Sequence, residues 1–300
     1  DLFDKDPNYQ TFHFDGQTVV LEDYTEIAPE KKEHLAELIK ERKILIGPWY
    51  VMPDEFLVSG ESLIRNLMQG DKICKEWDTE AWKYGYVCDV FGHIAQMPQI
   101  FNGFGIKYSA LGRGMTEGDP AFFKWQAPDG SECINFTLEP EHGYGSFKYI
   151  YRFEEDKSID NPAVVNNIKN YIEMELERSE QPIIVLMDGL DHAEAAIHTT
   201  DYMKKIAELY PEATIHHVDL CEQGKMIEEY KDELPVIKGE LNKTAQRQHA
   251  YLHLITNTLS SWYPLKKEND ECQNMLEKEI EPLVAVARVK GVELNHNFVD

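Results

Sequence analysis

Short apolar runs of strand length alternate along this chain with longer stretches of helical period, and that order leaves few folds open. An amphipathic helix is expected over Pro29 to Arg42, with Glu30 in its first turn and Leu35, Leu38 and Ile39 on one face. The run Lys43 to Tyr50 (KILIGPWY) follows it as a strand. Gly60 to Trp77 reads as a second helix striped by Leu63, Ile64, Leu67 and Ile73, and Tyr84 to Cys88 as the next strand. A helix then opens near Ala95 and continues through Gln99 to Phe104, and a strand is expected near Tyr108 to Leu111. Ala121 to Thr137 has the pattern of a hairpin around Pro128-Asp129-Gly130. Beyond it come a helix at Asn161 to Arg178, a fully apolar strand at Pro182 to Met187 (PIIVLM), a helix at Thr199 to Leu209 and a strand at Ala213 to Val218. Repeated strand-then-helix order predicts an α/β fold whose sheet is parallel, with helices outside it, open or closed into a barrel.

The pattern changes after about Leu241. Residues 242–268 are polar and irregular, with Pro264 and a Lys266-Lys267 pair, and from Asn269 to about Lys290 the chain is helical despite Pro282. Three parts are therefore expected: a catalytic-type α/β unit over 1–241, a connecting segment over 242–268, and the beginning of a helical domain over 269–300.

Charge narrows the function. With 30 basic against 54 acidic residues the formal net charge is −24, which would repel a phosphate backbone, so nucleic acid is excluded as a partner. The five cysteines (Cys74, Cys88, Cys133, Cys221, Cys272) are odd in number, widely spaced and without a CxxC pair. They read as reduced thiols, neither a disulfide framework nor a cysteine zinc site, and point to a cytoplasmic protein. No apolar run is long enough for a membrane span, and the start is unlike a signal peptide. Asn135-Phe136-Thr137 and Asn242-Lys243-Thr244 match the glycosylation pattern, a match frequent by chance. A homo-oligomer is compatible with the sequence but not specified by it.

Chemistry gathers at the strand ends. In α/β folds the C-terminal ends of parallel strands carry the functional residues. Trp49, Tyr50, Asp54 and Glu55 follow the first clear strand in GPWYVMPDEF, and Asp89 ends the next. Arg113 lies just past the third in LGRG, and Asp188, Asp191 and His192 follow PIIVLM in MDGLDHAE. Each has a plainer reading: Asp89 as a helix N-cap, Asp188 and Asp191 as caps in the Gly189 turn, Arg113 as a surface charge. Taken together, carboxylates, an arginine and aromatic rings suit a sugar, whose C–H faces stack on rings and whose hydroxyls bind charged groups. Two carboxylates suffice for glycosidic cleavage, one attacking or activating water and one protonating the leaving oxygen.

Five ordered segments carry a resemblance: DGQTVVLEDY (Asp15 to Tyr24), GPWYVMPDEFLVSGESLIRNL (Gly47 to Leu67), GYVCDVFGHIAQMPQIFNGFGI (Gly85 to Ile106), LGRG (Leu111 to Gly114) and MDGLDH (Met187 to His192). The chain resembles glycoside hydrolase family 38, the zinc-dependent retaining α-mannosidases, over nearly its whole length. The resemblance implies a partial seven-stranded (β/α) barrel followed by the start of a helical bundle, acting on an oligosaccharide or mannoside. It implies Asp89 as nucleophile and zinc ligand, Asp191 as general acid/base, and Arg113 as support for the nucleophile and substrate. Trp49, Asp54 and Glu55 would border the sugar subsite, and His192 would touch the sugar or stand behind the acid.

The implied zinc site is incomplete in the sequence. The family's His-x-Asp zinc strand and its later His-Asp motif have no counterpart in their proper context, so the piece is expected to lack the first barrel strand and the C-terminal part and to hold little zinc on its own. His13-Phe14-Asp15 has the His-x-Asp spacing but directly precedes Gly16-Gln17-Thr18, which follows the zinc strand in family order, so it reads as a decoy. His93 is expected to hydrogen-bond behind Asp89, and His216-His217 to alternate across a strand. Two other readings compete. A metal-dependent carbohydrate deacetylase on a similar barrel needs a histidine-rich metal site with an activated water. A non-catalytic carbohydrate-binding fragment is the reading favoured by the missing ligands.

Overall fold

The computed structural model describes residues 2–116, 118–152, 157–243 and 258–292. Its strands are β1 (Phe12–His13), β2 (Ile44–Leu45), β3 (Tyr84–Val87), β4 (Tyr108–Leu111), β5 (Phe122–Gln126), β6 (Glu132–Thr137) and β7 (Val236–Lys238). β1 and β2 pair in parallel as one small sheet, and the other five form a second in the order β3-β4-β6-β5-β7. Within it β3, β4 and β6 run parallel, β5 returns antiparallel to β6 as the expected hairpin, and β7 lies parallel to β5. The hairpin turn is built as its residues dictate: Gly130 takes a positive φ, and the Ser131 amide donates to Asp129 Oδ1 at 2.9 Å.

Both faces of β3 and β4 are buried, as parallel strands require. Tyr84, Tyr86 and Cys88 point into an inner cluster with Tyr108, Ala110, Phe136 and Leu45. Val87 and Leu111 point the other way, onto Leu63 and Leu67 of helix α1 (Gly60–Glu76) and Met97 and Phe101 of helix α2 (Met97–Gly103). Trp49, Trp82 and Trp125 are all fully buried in these layers, each a burial of roughly 2–3 kcal/mol. The expected first helix is split into a 3-10 turn at Pro29–Lys31 and an α-helix at Lys32–Lys40, whose Leu35, Leu38 and Ile39 pack on Ile44 and Ile46.

Two expected strands form no ladder. In the run Pro182 to Met187, Ile183, Val185 and Met187 contact the inner cluster, while Ile184 and Leu186 pack under helices α3 (Pro162–Arg178) and α4 (Thr199–Leu209). The side chains alternate as a strand's would. The backbone instead bonds to loops, Phe147 N to Met187 O at 3.0 Å and Gly189 N to Tyr144 O at 3.2 Å. Ala213 to Val218 likewise has no assigned ladder. The inner cluster thus collects residues as a barrel interior does, but the hydrogen-bonded ladders of the described residues do not close a ring.

Most of the expected connecting segment, residues 244–257, lies outside the described residues. The helix beyond it begins earlier than expected: α5 (Tyr263–Met275) runs through a π-helical turn (Leu276–Ile280) into α6 (Glu281–Val289). It meets the N-terminal end of α1 through polar groups. Ser59 Oγ donates to Glu277 Oε1 at 2.6 Å, and Arg65 forms a forked pair with Glu281. Leu276, Leu283, Val286 and Val289 stay exposed, so a packed helical bundle is not formed by the described residues. Among these residues no helix is long and apolar enough to cross a membrane.

Candidate active site at the strand ends

Register alone brings two of the expected residues together. Val87 of β3 pairs with Leu111 of β4 in parallel, so two residues further on Asp89 and Arg113 leave the sheet side by side. Arg113 Nε donates to Asp89 Oδ1 at 2.6 Å, and Nη2 lies 2.5 Å from the same oxygen. Both contacts fall on Oδ1. The Asp89 side chain is 41% exposed and that of Arg113 only 12%, so the carboxylate faces outward while the guanidinium backs it. The Phe91 ring lies 5.0 Å from the guanidinium carbon, a cation–π contact.

The strand ends approach closely because two glycines allow it. A Cβ on Gly112 would sit 2.2 Å from the Cys88 carbonyl oxygen, and one on Gly114, whose φ is +90°, would sit 2.2 Å from the Leu241 carbonyl oxygen. Only a residue without a side chain fits either place.

Tyr144 stands near Asp89 and bonds the second expected carboxylate. Its hydroxyl donates to Asp191 Oδ1 at 2.8 Å. Burial, that hydrogen bond and the negative charges of Asp89 and Asp191 all hold the phenol well above its ordinary pKa. Asp15 joins the same group. Its Oδ1 accepts from the Cys88 thiol at 3.3 Å and its Oδ2 from Gln17 Nε2 at 3.3 Å. Its carboxyl is raised to about 6, first by desolvation and then by Asp191 and Asp89. Asp15 has a φ of +50° and His192 one of +54°, so two of the turns that form this recess carry left-handed backbone.

The other expected residues divide. Asp54 stays partly open, accepts weakly from the Phe56 amide at 3.4 Å, and has its pKa raised by burial. His192 is exposed beside Asp191. Asp188 turns away to the start of α4, accepting from Thr199 Oγ1 at 2.6 Å. Trp49 and Glu55 do not face the recess, which corrects the expectation that they border a sugar. Trp49 is fully buried, its Nε1 donating to the Tyr86 carbonyl at 3.1 Å. Glu55 is buried against His93, its Oε1 2.8 Å from Nδ1, and its Oε2 accepts from the Ile94 amide at 2.9 Å. His93 thus stands behind Asp89 as expected, and its Nε2 lies 3.1 Å from the Arg113 carbonyl oxygen. His13 is stacked on Trp82 in the interior and pushed down to about 4 by desolvation, which keeps it neutral.

Tyr144 and Asp15 are the residues that sequence reasoning did not single out for the site. Tyr144 lies in the loop that follows β6, in HGYG, a segment with no carboxylate-type signal of its own, and Asp15 belongs to the His13-Phe14-Asp15 stretch that reads as a decoy. The signal for Asp15 was its Asp-Gly pair at the end of a strand-like FHF run, which is the end of β1.

The comparisons with known proteins fit this geometry. The description "Glycosyl hydrolases family 38 N-terminal domain" matches residues 1–243. The chain belongs to glycosyl hydrolase family 38. A Halalkalibacterium halodurans protein named "Putative mannosylglycerate hydrolase" is 32% identical over 97% of the chain and 33% of its own length. Mouse alpha-mannosidase 2C1 is 24% identical over 83% of the chain and 22% of its own length. The crystal structure of an alpha-mannosidase from Enterococcus faecalis superposes with a TM-score of 0.85 at 28% identity, covering 99% of the chain and 33% of that structure. The chain therefore spans about a third or less of the length of these family 38 relatives.

The family implies zinc. Among the described residues the one group able to converge on an ion is Glu139, Glu141 and His142, which does not include Asp89. Its Glu139 carboxylate is already taken up by the amides of Glu141 and His142 at 2.8 and 2.7 Å, the bonds of a capped turn. Asp89 alone cannot make the three- or four-ligand set that zinc takes. The described residues around Asp89 do not fit a zinc site.

Proposed function

We propose that this chain forms the catalytic face of a retaining α-mannosidase, with Asp89 as nucleophile and Asp191 as general acid/base. One observation carries the reading. Two carboxylates, Asp89 at the end of β3 and Asp191 past the Pro182 to Met187 run, lie around a single phenol that donates to Asp191, the first backed by an arginine and the second open to solvent. Asp89 Oδ1 is fixed by Arg113, so attack at the anomeric carbon falls to Oδ2. As the glycosidic bond breaks, Asp191 delivers its proton to the departing oxygen, and Tyr144 holds Asp191 Oδ1 so that Oδ2 carries that proton. In the second half Asp191 removes a proton from water, which attacks the anomeric carbon and frees Asp89. Asp54 and His192 are the remaining sugar contacts in this reading, with Phe91 and Tyr144 as the aromatic surfaces. Zinc dependence belongs to the proposal through the family alone, with ligands beyond Asp89 to be supplied from elsewhere, and no step above is routed through it. The substrate is a mannoside, either a glycan or a small mannosyl conjugate of the kind the H. halodurans relative is named for. A cytoplasmic location is kept on the strength of the free cysteines.

The test is hydrolysis of 4-nitrophenyl α-mannoside by the full-length protein that contains these residues, loaded with zinc. Turnover is expected, and Asp89→Ala should lower it by at least about a thousandfold, the size of a lost nucleophile. No turnover by the native protein on any α-mannoside would overturn the reading.

A further inference from the structure

Glu55 and His93 are buried titratable groups that the chemistry above does not use. Both side chains are fully buried, an expensive place for a carboxylate and an imidazole unless they work as a unit. The unit is closed. Glu55 reaches His93 Nδ1 with one oxygen and the Ile94 amide with the other. A carbonyl oxygen only accepts, so His93 Nε2 must donate to Arg113 O. The His93 backbone is tied on both sides to Leu241, N to O and O to N at 2.9 Å. The segment from Asp89 to Ile94 thus supplies the carboxylate, the ring beneath the guanidinium and the imidazole that grips the arginine's own backbone. Arg113 is held at its carbonyl by His93 and at its guanidinium by Asp89, and these two holds lie only four residues apart in sequence.

We propose that Glu55 and His93 are positioning residues for the Arg113–Asp89 pair: the buried Glu55–His93 contact fixes the Arg113 backbone so that its guanidinium meets Asp89 Oδ1 and leaves Oδ2 to react. Glu55 touches no substrate in this scheme and acts through His93. The proposal rests on the reading of Asp89 as nucleophile for its kinetic consequence, but not for its structural one.

The proton count makes the test specific. Glutamine at position 55 can donate to a neutral His93 Nδ1 and accept from the Ile94 amide, leaving His93 Nε2–H on the Arg113 carbonyl, so Glu55→Gln preserves every bond. Glu55→Ala and Glu55→Asp lose or retract the grip. In the zinc-loaded full-length protein, Glu55→Asp and Glu55→Ala should lower kcat about thirtyfold or more per folded molecule, with KM changed less than about threefold, and Glu55→Gln should recover most of that loss. In an Arg113→Ala background the same Glu55 substitutions should change kcat less than about threefold, because the group they position is gone. Equal losses in both backgrounds would overturn the proposal, since a merely structural residue would act regardless of Arg113. Should Glu55→Ala fail to fold, Glu55→Asp carries the comparison. A crystal structure of Glu55→Asp separates this claim from the mannosidase reading: the guanidinium should leave Asp89, and an unmoved Arg113–Asp89 pair would overturn the proposal whatever the enzyme hydrolyses.

Discussion

Asp15 places a third carboxylate beside Asp89 and Asp191, and its environment sets a pH dependence that can be measured. Desolvation first, then Asp191 and Asp89, raise its carboxyl from the ordinary 3.8 to about 6, so the folded chain holds the proton more tightly than the unfolded one. Its folded form is therefore most favoured below about pH 4, and that contribution is lost as pH rises toward about 6. Asp15→Asn should raise the melting temperature at about pH 7.5 but leave it nearly unchanged at about pH 4, read by paired thermal scans. An equal shift at both values would contradict the assigned cost of burying this charge beside Asp191 and Asp89. Tyr144 gives a second residue-scale expectation. Tyr144→Phe removes the hydrogen bond to Asp191, a bond to a charged group worth about 1.5–3 kcal/mol, so kcat/KM on an aryl α-mannoside should fall roughly tenfold to a hundredfold with the fold intact. An unchanged kcat/KM would remove Tyr144 from the site.

At the scale of elements, the site depends on how closely β3 and β4 end together. Gly112→Ala puts a methyl group into the Cys88 carbonyl, so the strand ends must part and carry Arg113 away from Asp89. Such overpacking is expected to destabilise by about 2 kcal/mol, visible as a lower urea midpoint at unchanged slope, and to lower activity further in the folded fraction. What the sequence showed at this scale follows from what each element depends on. Strand β4, the hairpin turn and helix α4 rest on local composition and turn chemistry, and Tyr108 to Leu111 and Thr199 to Leu209 were legible to the residue. Pro182 to Met187 has a strand's alternation, and its side chains do alternate, but a ladder needs a neighbour, which composition does not reveal. The pairing of Asp89 with Arg113 was legible as two strand ends. The inward turn of Trp49 and Glu55 was not, because a Trp-Tyr and Asp-Glu sequence beyond a strand has the same composition whether it faces a cleft or the core.

For the whole molecule, the described residues gather the proposed nucleophile, its arginine and the proposed acid/base, while the one group among them able to converge on an ion, Glu139, Glu141 and His142, does not include Asp89. The 300-residue chain by itself is therefore expected to hold clearly substoichiometric zinc after loading and desalting, measured by elemental analysis. Tight stoichiometric zinc would mean that ligands other than those reasoned above come together. The central claim, that Asp89 attacks the sugar directly, has one decisive measurement: the proton NMR signal of the anomer first released when the zinc-loaded full-length protein cleaves an α-mannoside. Double displacement predicts that α-mannose appears first and that Asp89→Ala releases almost none. Release of β-mannose first, or undiminished release by Asp89→Ala, would contradict the account.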